Sequence, residues 1–247
     1  MENITYIALS RQAALERQMD VVANNMANAN TPAYKAEDMM FREYLVKTRS
    51  SDRILGNKLS FVQDVGEVRN NAVGPLTKTD NPLDIALPQE GYFQIETDAG
   101  MRYTRAGHFR LDDGGMLVNS QGYAVMDKSD QPIVFAPNEK NITIAQDGTV
   151  STDLGRIGQL KVVDFTSDQD LRKAGDGLYE TSQDPTVIDR PTMVQGMMED
   201  SNVQPVTEMT KMISVLREYE ANQKIMEADN DRRIKAMQVL SGAQSAA

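Results

Sequence analysis

The sequence of 247 residues is long enough for one large domain or two modest ones. Its net charge of −10 argues against a nucleic-acid binder, which needs a concentrated basic surface, and against docking on anionic membranes. The absence of cysteine excludes disulfides and thiolate metal sites. The start of the chain lacks the basic region and unbroken apolar run of a cleaved signal, and no run approaches the roughly 20 apolar residues of a membrane span. We therefore expect any export to be independent of a cleaved signal.

The first predicted element is an amphipathic helix from about Asn3 to Asn28. Apolar residues recur in it at spacings near 3.6, which places them on one side of the helix. This stripe consists of Ile4, Ala8, Leu15, Met19, Val22 and Met26. Asparagine is a poor former of helix interiors and proline disfavours helix in the residue before it, so the segment from Asn24 to Pro32 is predicted to end the helix.

Residues 31–75 are predicted to connect this helix to the next domain. Met39 to Val46 fits either a strand or a short helix, whereas Thr48 to Asp52 is typical of a loop. Phe61 to Val68 is predicted to be a strand that is broken at Gly66.

Between Asp84 and Met198 the pattern is that of strands and turns. Short apolar runs alternate with turn residues about every 8–12 positions. Two hairpin turns are predicted, at Asp98 to Gly100 and at Asp112 to Gly115, since Asp and Gly tolerate positive φ. The pattern predicts a central antiparallel β domain over residues 76–202.

The last predicted element is a helix that begins after Pro205 and would be about 50 Å long. Its stripe recurs mostly every three or four residues, at Met209, Met212, Ile213, Leu216, Tyr219, Gln223, Met226, Asn230, Ile234, Met237 and Leu240. Its polar members Gln223 and Asn230 can set the register of helix packing at some cost in stability. The polar side of this helix carries Lys211, Ser214, Glu218 and Asn222.

Neither terminal helix can bury its apolar stripe alone. The two helices could form a private hairpin, or they could pack between subunits. We favour packing between subunits, because a lone pair of long helices buries too little surface. The predicted assembly interface comprises Ile4, Ala8, Leu15, Met19, Val22, Met26, Met209, Ile213, Leu216, Met226, Ile234 and Met237.

The sequence offers little for catalysis. Its single histidine, His108, has no second histidine to join it at a metal, and no Gly-x-Ser-x-Gly elbow occurs. The pair Asp112-Asp113 fits a turn better than a catalytic site. Asp168 and Asp170 begin something like a calcium loop, but Lys173 stands where glycine is needed. We therefore predict no enzyme activity, no cofactor and no metal site.

Several motifs identify a family resemblance. They are, in order, Asn24 to Thr31 followed by Tyr34-Lys35, Asp80 to Leu87 followed by Gly91-Tyr92-Phe93, Tyr103 to Phe109, Gln146 to Val150, and Gln195 to Val203. The first resembles the N-terminal signature of the bacterial flagellar rod and hook family, and the others follow the same family's order along nearly the whole chain. The motif residues carried over are Asn24, Asn25, Asn28, Asn30, Thr31, Ser201, Asn202 and Val203. One departure is Ala33, where the family often has glycine. This difference bears on the turn, because alanine resists positive φ.

The resemblance implies a structural subunit of the flagellar basal-body rod, most similar to the proximal rod member, with the distal rod member as the alternative. It implies a helical tube that transmits torque and encloses the export channel. The candidates to line this channel are Lys211, Ser214, Glu218 and Asn222 on the polar side of the last helix. The fold class would be α+β, with helices 1–30 and 203–247 forming a coiled-coil-like tube domain, 31–75 connecting them to the β domain, and the helices ordering only on assembly.

The implied partners are copies of the chain, adjacent rod proteins and the flagellar type III export apparatus, without nucleic acid or membrane insertion. The implied location is the rod that spans the periplasm, reached without a cleaved signal peptide. Two other function classes stay open. One is a periplasmic glycan-binding or wall-hydrolysing protein, which would need a cleft of acidic or aromatic residues; the other is a filament adhesin or cap.

Overall fold

The computed structural model describes residues 2–47, 58–139 and 141–244. It places a helix near each end of the chain and antiparallel strands between them, which confirms the α+β class. The chain divides into two compact units. The helical unit comprises Met1–Ala27, Glu37–Val68 and Gln204–Ala247, and the β unit comprises Asn28–Ala36 and Arg69–Val203.

The helical unit contains both helices and one two-stranded sheet. Helix α1 spans Glu2–Ala27 and helix α2 spans Pro205–Gln244. Strands β1 (Glu37–Lys47) and β2 (Lys58–Arg69) form a two-stranded sheet, so the region that fitted either strand or helix is a strand. The predicted break at Gly66 is wrong, because β2 continues through this residue at φ 144°. The predicted loop at 48–52 lies outside the described residues.

The β unit is built from short antiparallel strands. They are β3 (Leu76–Lys78), β4 (Ile85–Ala86), β5 (Tyr92–Thr97), β6 (Gly100–Thr104), β7 (Arg110–Leu111), β8 (Leu117–Val118), β9 (Ala124–Val125), β10 (Thr143–Ile144), β11 (Thr149–Thr152), β12 (Gly155–Gln159), β13 (Val162–Asp164), β14 (Arg172–Gly175), β15 (Leu178–Glu180), β16 (Thr186–Val187), β17 (Val194–Gln195) and β18 (Met197–Glu199). A single 3₁₀ turn at Asp168–Asp170 separates β13 from β14 in the described part of this unit.

The largest sheet of the β unit has nine strands. Its main path runs β14-β15-β6-β5-β9-β8-β7, while β13 pairs with both β5 and β16. A three-stranded sheet, β10-β11-β12, and two strand pairs, β17-β4 and β18-β3, complete the unit. Both predicted hairpins are confirmed. Thr97 lies opposite Gly100, and Asp112 Oδ1 accepts hydrogen bonds from the backbone of Gly114 and Met116 at 2.9 and 2.7 Å.

The β unit encloses an apolar core. Phe93 and Phe109 are almost completely buried, and their rings meet edge to face with centroids 5.2 Å apart. Beside this cluster lies a smaller one in which Tyr92 and Tyr103 pack with other buried residues. The backbone at Gly107 approaches the backbone at Ile85 so closely that a Cβ there would lie 1.7 Å from the carbonyl oxygen of Ile85. The β unit therefore has two buried clusters of its own.

Candidate assembly surface

The two helices pair in antiparallel fashion. Asn222 Nδ2 donates to Ala8 O at 2.9 Å, in the first half of α1. Near the end of α1, Asn25 Nδ2 donates to Glu208 Oε2 at 3.1 Å, in the first turn of α2. These two contacts fix which residues of α1 face which residues of α2.

The predicted stripe of α1 is covered in the folded chain. Ala8, Leu15 and Val22 are buried, and Met19 and Met26 are half-buried. The side chain of Ile4 lies outside the described side chains. The periodicity of α1 therefore identified its inward face. Contact of these residues with neighbouring subunits stays a prediction.

The predicted stripe of α2 lies mostly in the open. Five of its apolar residues, which we call the exposed α2 stripe, are between 41% and 61% exposed, while the side chain of Leu240 lies outside the described side chains. The five are Met209, Ile213, Leu216, Ile234 and Met237. Met226 is half-buried, and Gln223 and Asn230 lie on the exposed face. The stripe is thus available for a partner, which is the condition that an assembly interface requires.

A different face of α2 packs against the rest of the helical unit. Its buried residues recur every seven positions, at Glu208, Val215, Asn222 and Asp229. Half-buried residues alternate with them at Met212, Tyr219, Met226 and Arg233. This alternation of four and three residues is the heptad pattern of a coiled-coil seam. Three of its four buried positions are polar.

Each buried polar residue of this seam has a partner. Glu208 forms an ion pair with Lys211 at 2.9 Å in addition to its bond from Asn25. Asp229 accepts from Thr5 Oγ1 at 3.1 Å and pairs with Arg233 Nε at 3.0 Å. Buried polar groups cost free energy unless they are paired, so such a seam specifies one register rather than adding stability.

Three of the four polar residues proposed to face a channel make contacts inside the chain. Asn222 is buried against α1, and Glu218 pairs with Arg11 at 3.2 Å. Lys211 pairs with Asp38 of β1 at 2.7 Å, while Ser214 is exposed. In this conformation Asn222 is therefore unavailable to a channel.

The asparagine-rich segment ends α1, as predicted, and Asn25 has a specific role. Its side chain is fully buried and forms two hydrogen bonds with the backbone of Glu37, from Glu37 N at 3.0 Å and to Glu37 O at 2.7 Å. It thus acts as a strand partner for the start of β1. In the β unit, Thr31 donates its backbone N–H and hydroxyl to Asn28 and closes the turn.

Ala33 adopts the conformation for which the family often uses glycine. Its φ is 57°, in the left-handed region, and its N–H donates to Glu199 O at 2.8 Å. Alanine in this region carries a steric cost of about 1 kcal/mol. The turn is therefore retained despite the departure from glycine.

The C-terminal motif also binds backbone. Asn202 Oδ1 accepts from Ala36 N at 2.7 Å, while its Nδ2 donates to Asn70 O at 2.8 Å and Ala72 O at 3.0 Å. Ser201 Oγ accepts from Val203 N at 3.2 Å, and both residues are buried. Of the remaining motif residues, Asn24 and Asn30 are exposed.

Sequence reasoning missed a buried ionic cluster in the β unit. Glu199 lies between two cations, with Oε1 2.6 Å from Lys35 Nζ and Oε2 2.7 Å from Arg105 Nε. All three side chains are at most 4% exposed. The available signal was that each residue lies within a motif of the family resemblance. Their opposite charges, far apart in the sequence, carried no local pattern.

The cluster pairs two cations with one carboxylate. The donors that do not bind this carboxylate bind backbone carbonyl oxygens instead. Lys35 Nζ donates to Ala72 O at 2.7 Å. Arg105 donates to Gly91 O at 2.7 Å and to Leu87 O at 2.8 Å. Burial lowers the pKa of Lys35, and its hydrogen bond with Glu199 opposes this shift.

The residues considered for catalysis have structural surroundings. His108 Nδ1 lies 2.6 Å from Asp84 Oδ1, and Asp112 closes a turn. Across residues 2–47, 58–139 and 141–244, no group of three His, Cys, Asp or Glu side chains could hold a metal ion. In the same ranges neither helix combines the length and apolar character that crossing a membrane requires.

Three family models match the chain. A model for the flagella basal body rod protein covers residues 6–35. A model for the D1 domain of the flagellar hook protein FlgE/F/G covers residues 86–152, and one for the C-terminal part of the basal body rod FlgEFG protein covers residues 194–239. These matches coincide with α1 and its exit, part of the β unit, and the last strands of the β unit together with most of α2.

Complete proteins match over almost their entire length. The flagellar basal-body rod protein FlgF of Caulobacter vibrioides is 39% identical over 230 residues, which cover 92% of this chain and 93% of the relative. FlgF of Mesorhizobium japonicum is 31% identical, with coverage of 96% and 98%. The rod protein FlgG of Buchnera aphidicola subsp. Schizaphis graminum is 30% identical, with coverage of 92% and 95%.

Proposed function

The chain belongs to the family of flagellar basal-body rod proteins and is a structural rod subunit, and we propose that it occupies the proximal part of the rod. Copies would polymerise into a helical tube that transmits torque and encloses the export channel. The similarity to proteins named FlgF supports the proximal position. The similarity to FlgG makes a distal position the alternative.

The exposed α2 stripe is the observation that supports polymerisation most directly. Apolar side chains gain about 1.5–3 kcal/mol when they pass from full exposure to full burial, so each half-exposed member can contribute about 1 kcal/mol at an interface. The members of the stripe lie toward the two ends of α2, around Leu216 and Ile234, and the polar residues Gln223 and Asn230 lie between these two groups. We expect neighbouring helices to meet it at these two levels.

The domain assignment follows from this role. Residues 1–30 and 203–247 would form the tube domain, 31–75 the connecting segment and 76–202 the domain carried outside the tube. The partners would be copies of the chain, adjacent rod proteins and the flagellar type III export apparatus. The subunit would reach the periplasm without a cleaved signal peptide and without membrane insertion, and it would have no catalytic role.

Electron microscopy of basal bodies from cells that lack the gene tests this proposal. We expect rods that stop short and carry no hook, and complementation should restore both. A short proximal stub would favour the proximal position, whereas a rod that lacks only its outer part would favour the distal one. Complete rods and hooks in the deletion strain would contradict the structural role altogether.

A further inference from the structure

The chain passes between its two units at four points. These are the peptide bonds after Ala27, Ala36, Val68 and Val203. Inside the β unit, the segments next to three of these points contact each other, namely 33–36, 69–74 and 199–203. Any force that one unit exerts on the other through these three points therefore reaches the β unit at these segments.

Asn202 joins all three segments with one side chain. Its side-chain amide accepts from Ala36 N through Oδ1 and donates to Asn70 O and Ala72 O through Nδ2. A further bond runs from Asn202 N to Tyr34 O at 3.2 Å. Asparagine carries an acceptor oxygen and an NH2 donor in one planar amide. Glutamine has the same amide, but its side chain is longer.

Glu199 joins the same segments at a buried point. Its carboxylate accepts from Lys35 Nζ and, at 2.8 Å, from Gly74 N, while its backbone oxygen accepts from Ala33 N. Segments 69–74 and 199–203 approach each other so closely that a Cβ at Gly74 would lie 2.1 Å from Asp200 O. Arg105 anchors the other carboxylate oxygen to the interior of the unit.

We propose that Lys35, Arg105, Glu199 and Asn202 form a clasp that holds the segments joining the β unit to the rest of the chain. In the assembled rod they are positioning residues that carry load from the helices into the β unit. The role in carrying load rests on the proposed function, whereas the clasp itself does not. Pulling segment 33–36 away would leave buried charges unpaired, which is far more costly than opening an exposed ion pair.

The substitution Lys35→Met isolates the clasp from the fold. It leaves Arg105 and Glu199 as a balanced pair and removes the two bonds of the Lys35 side chain, to Glu199 and to Ala72 O. Lys78→Met is the matched control, since Lys78 pairs with Asp80 at 2.8 Å on the surface of the same unit.

Amide hydrogen exchange on the purified full-length chain is the first measurement. In the Lys35→Met protein, the amides of Ala33 and Ala36 should exchange about tenfold faster or more, as local opening becomes easier. The Leu117 amide, which donates to Ile133 O in the core, should be unchanged. The control protein should match the wild type at all three amides. Unchanged protection of Ala33 and Ala36 in the Lys35→Met protein would overturn the clasp.

Motility against load is the second measurement. Cells with the Lys35→Met chain should build rods and hooks, but their swimming speed should fall more steeply than that of wild-type or Lys78→Met cells as viscosity rises. Faster exchange combined with wild-type motility at every viscosity would overturn the role in carrying load. Complete rods in the deletion strain would instead contradict the proposed function, and the exchange result would stand independently.

Discussion

In the β unit, Phe93, Ile95 and Leu117 are fully buried and pack against one another. On α2 the distribution is reversed, because Leu216 is 45% exposed while Asn222 is 4% exposed. The β unit thus buries its largest apolar residues within one chain, whereas three of the four buried residues of α2 are polar and apolar ones such as Leu216 are left for a partner. The buried polar side chains of α2 specify how α2 aligns with α1, and the exposed apolar ones mark where we expect another subunit to bind.

The largest effect is expected from Leu216→Asp. A carboxylate in the exposed α2 stripe would have to be buried without a partner on assembly, so rods and motility should be lost. The β unit should keep its melting temperature, since Leu216 belongs to the helical unit. Ala221→Asp adds the same charge at an exposed position away from the stripe and should swim normally. Normal motility of the Leu216→Asp strain would argue strongly against the stripe as an interface.

The core of the β unit should respond to lost volume. Phe93→Ala is expected to lower the free energy of unfolding by about 3–5 kcal/mol, since it removes a buried ring packed against Phe109. Urea denaturation followed by near-ultraviolet circular dichroism measures the change. Val134→Ala truncates a side chain that is 51% exposed in the same unit and should cost less than about 0.5 kcal/mol. Equal losses in the two variants would contradict the assignment of the core.

The helix seam should respond in the opposite direction. Asn222→Leu replaces a buried polar residue with an apolar one and should stabilise the helix pair by about 1 kcal/mol while weakening its register. The native sequence has no cysteine, so engineered cysteines report the register cleanly. Gln12→Cys should cross-link to Tyr219→Cys, whose native side chains bond at 2.9 Å.

A cysteine at Met226, one heptad further along, should cross-link to Gln12→Cys appreciably only when Asn222→Leu is present. Thermal melts followed by far-ultraviolet circular dichroism give the stability. A less stable helix pair that keeps one register would show that Asn222 stabilises the seam rather than specifying it.

The smallest effect concerns alkaline pH. Burial raises the pKa of Tyr92 and of Tyr103 above the usual value of 10.0. Because the folded values exceed the unfolded ones, this contribution to stability is complete below about pH 10 and is lost as pH rises through the folded values. Unfolding free energies of the β unit should therefore fall from pH 9 to pH 11.

Tyr92→Phe should make this fall shallower. At pH 7 the two proteins should differ by less than about 1 kcal/mol, which separates ionisation from packing. Parallel pH profiles for the wild type and the variant would mean that Tyr92 does not contribute.

Local signals predicted much of the fold. The end of α1 and the turn at Asp112 follow from residues that act on their own neighbours. The periodicity of α1 identified its buried face through Leu15 and Val22. The same reasoning selected the apolar face of α2, which is the exposed one, because hydrophobicity cannot distinguish a face that packs within the chain from one kept for a partner.

The contacts that escaped prediction join distant parts of the sequence. The partner of Glu208 is Asn25, and that of Glu199 is Lys35. Neither pair has a spacing that marks it, and buried charges do not resemble core residues in a hydropathy pattern. Ala33 was expected to resist a positive φ, but its hydrogen bond to Glu199 holds it there.

The pairing of β3 with β18 sets the order in which the β unit can fold. Leu76 lies opposite Glu199. The two ends of a segment of more than a hundred residues must therefore meet before this ladder can form. Closing so long a loop costs entropy before any contact compensates for it, and folds rich in such contacts form slowly. A ribosome must therefore finish most of the chain before the β unit can close, which gives a cell time to capture the chain while it is still extended.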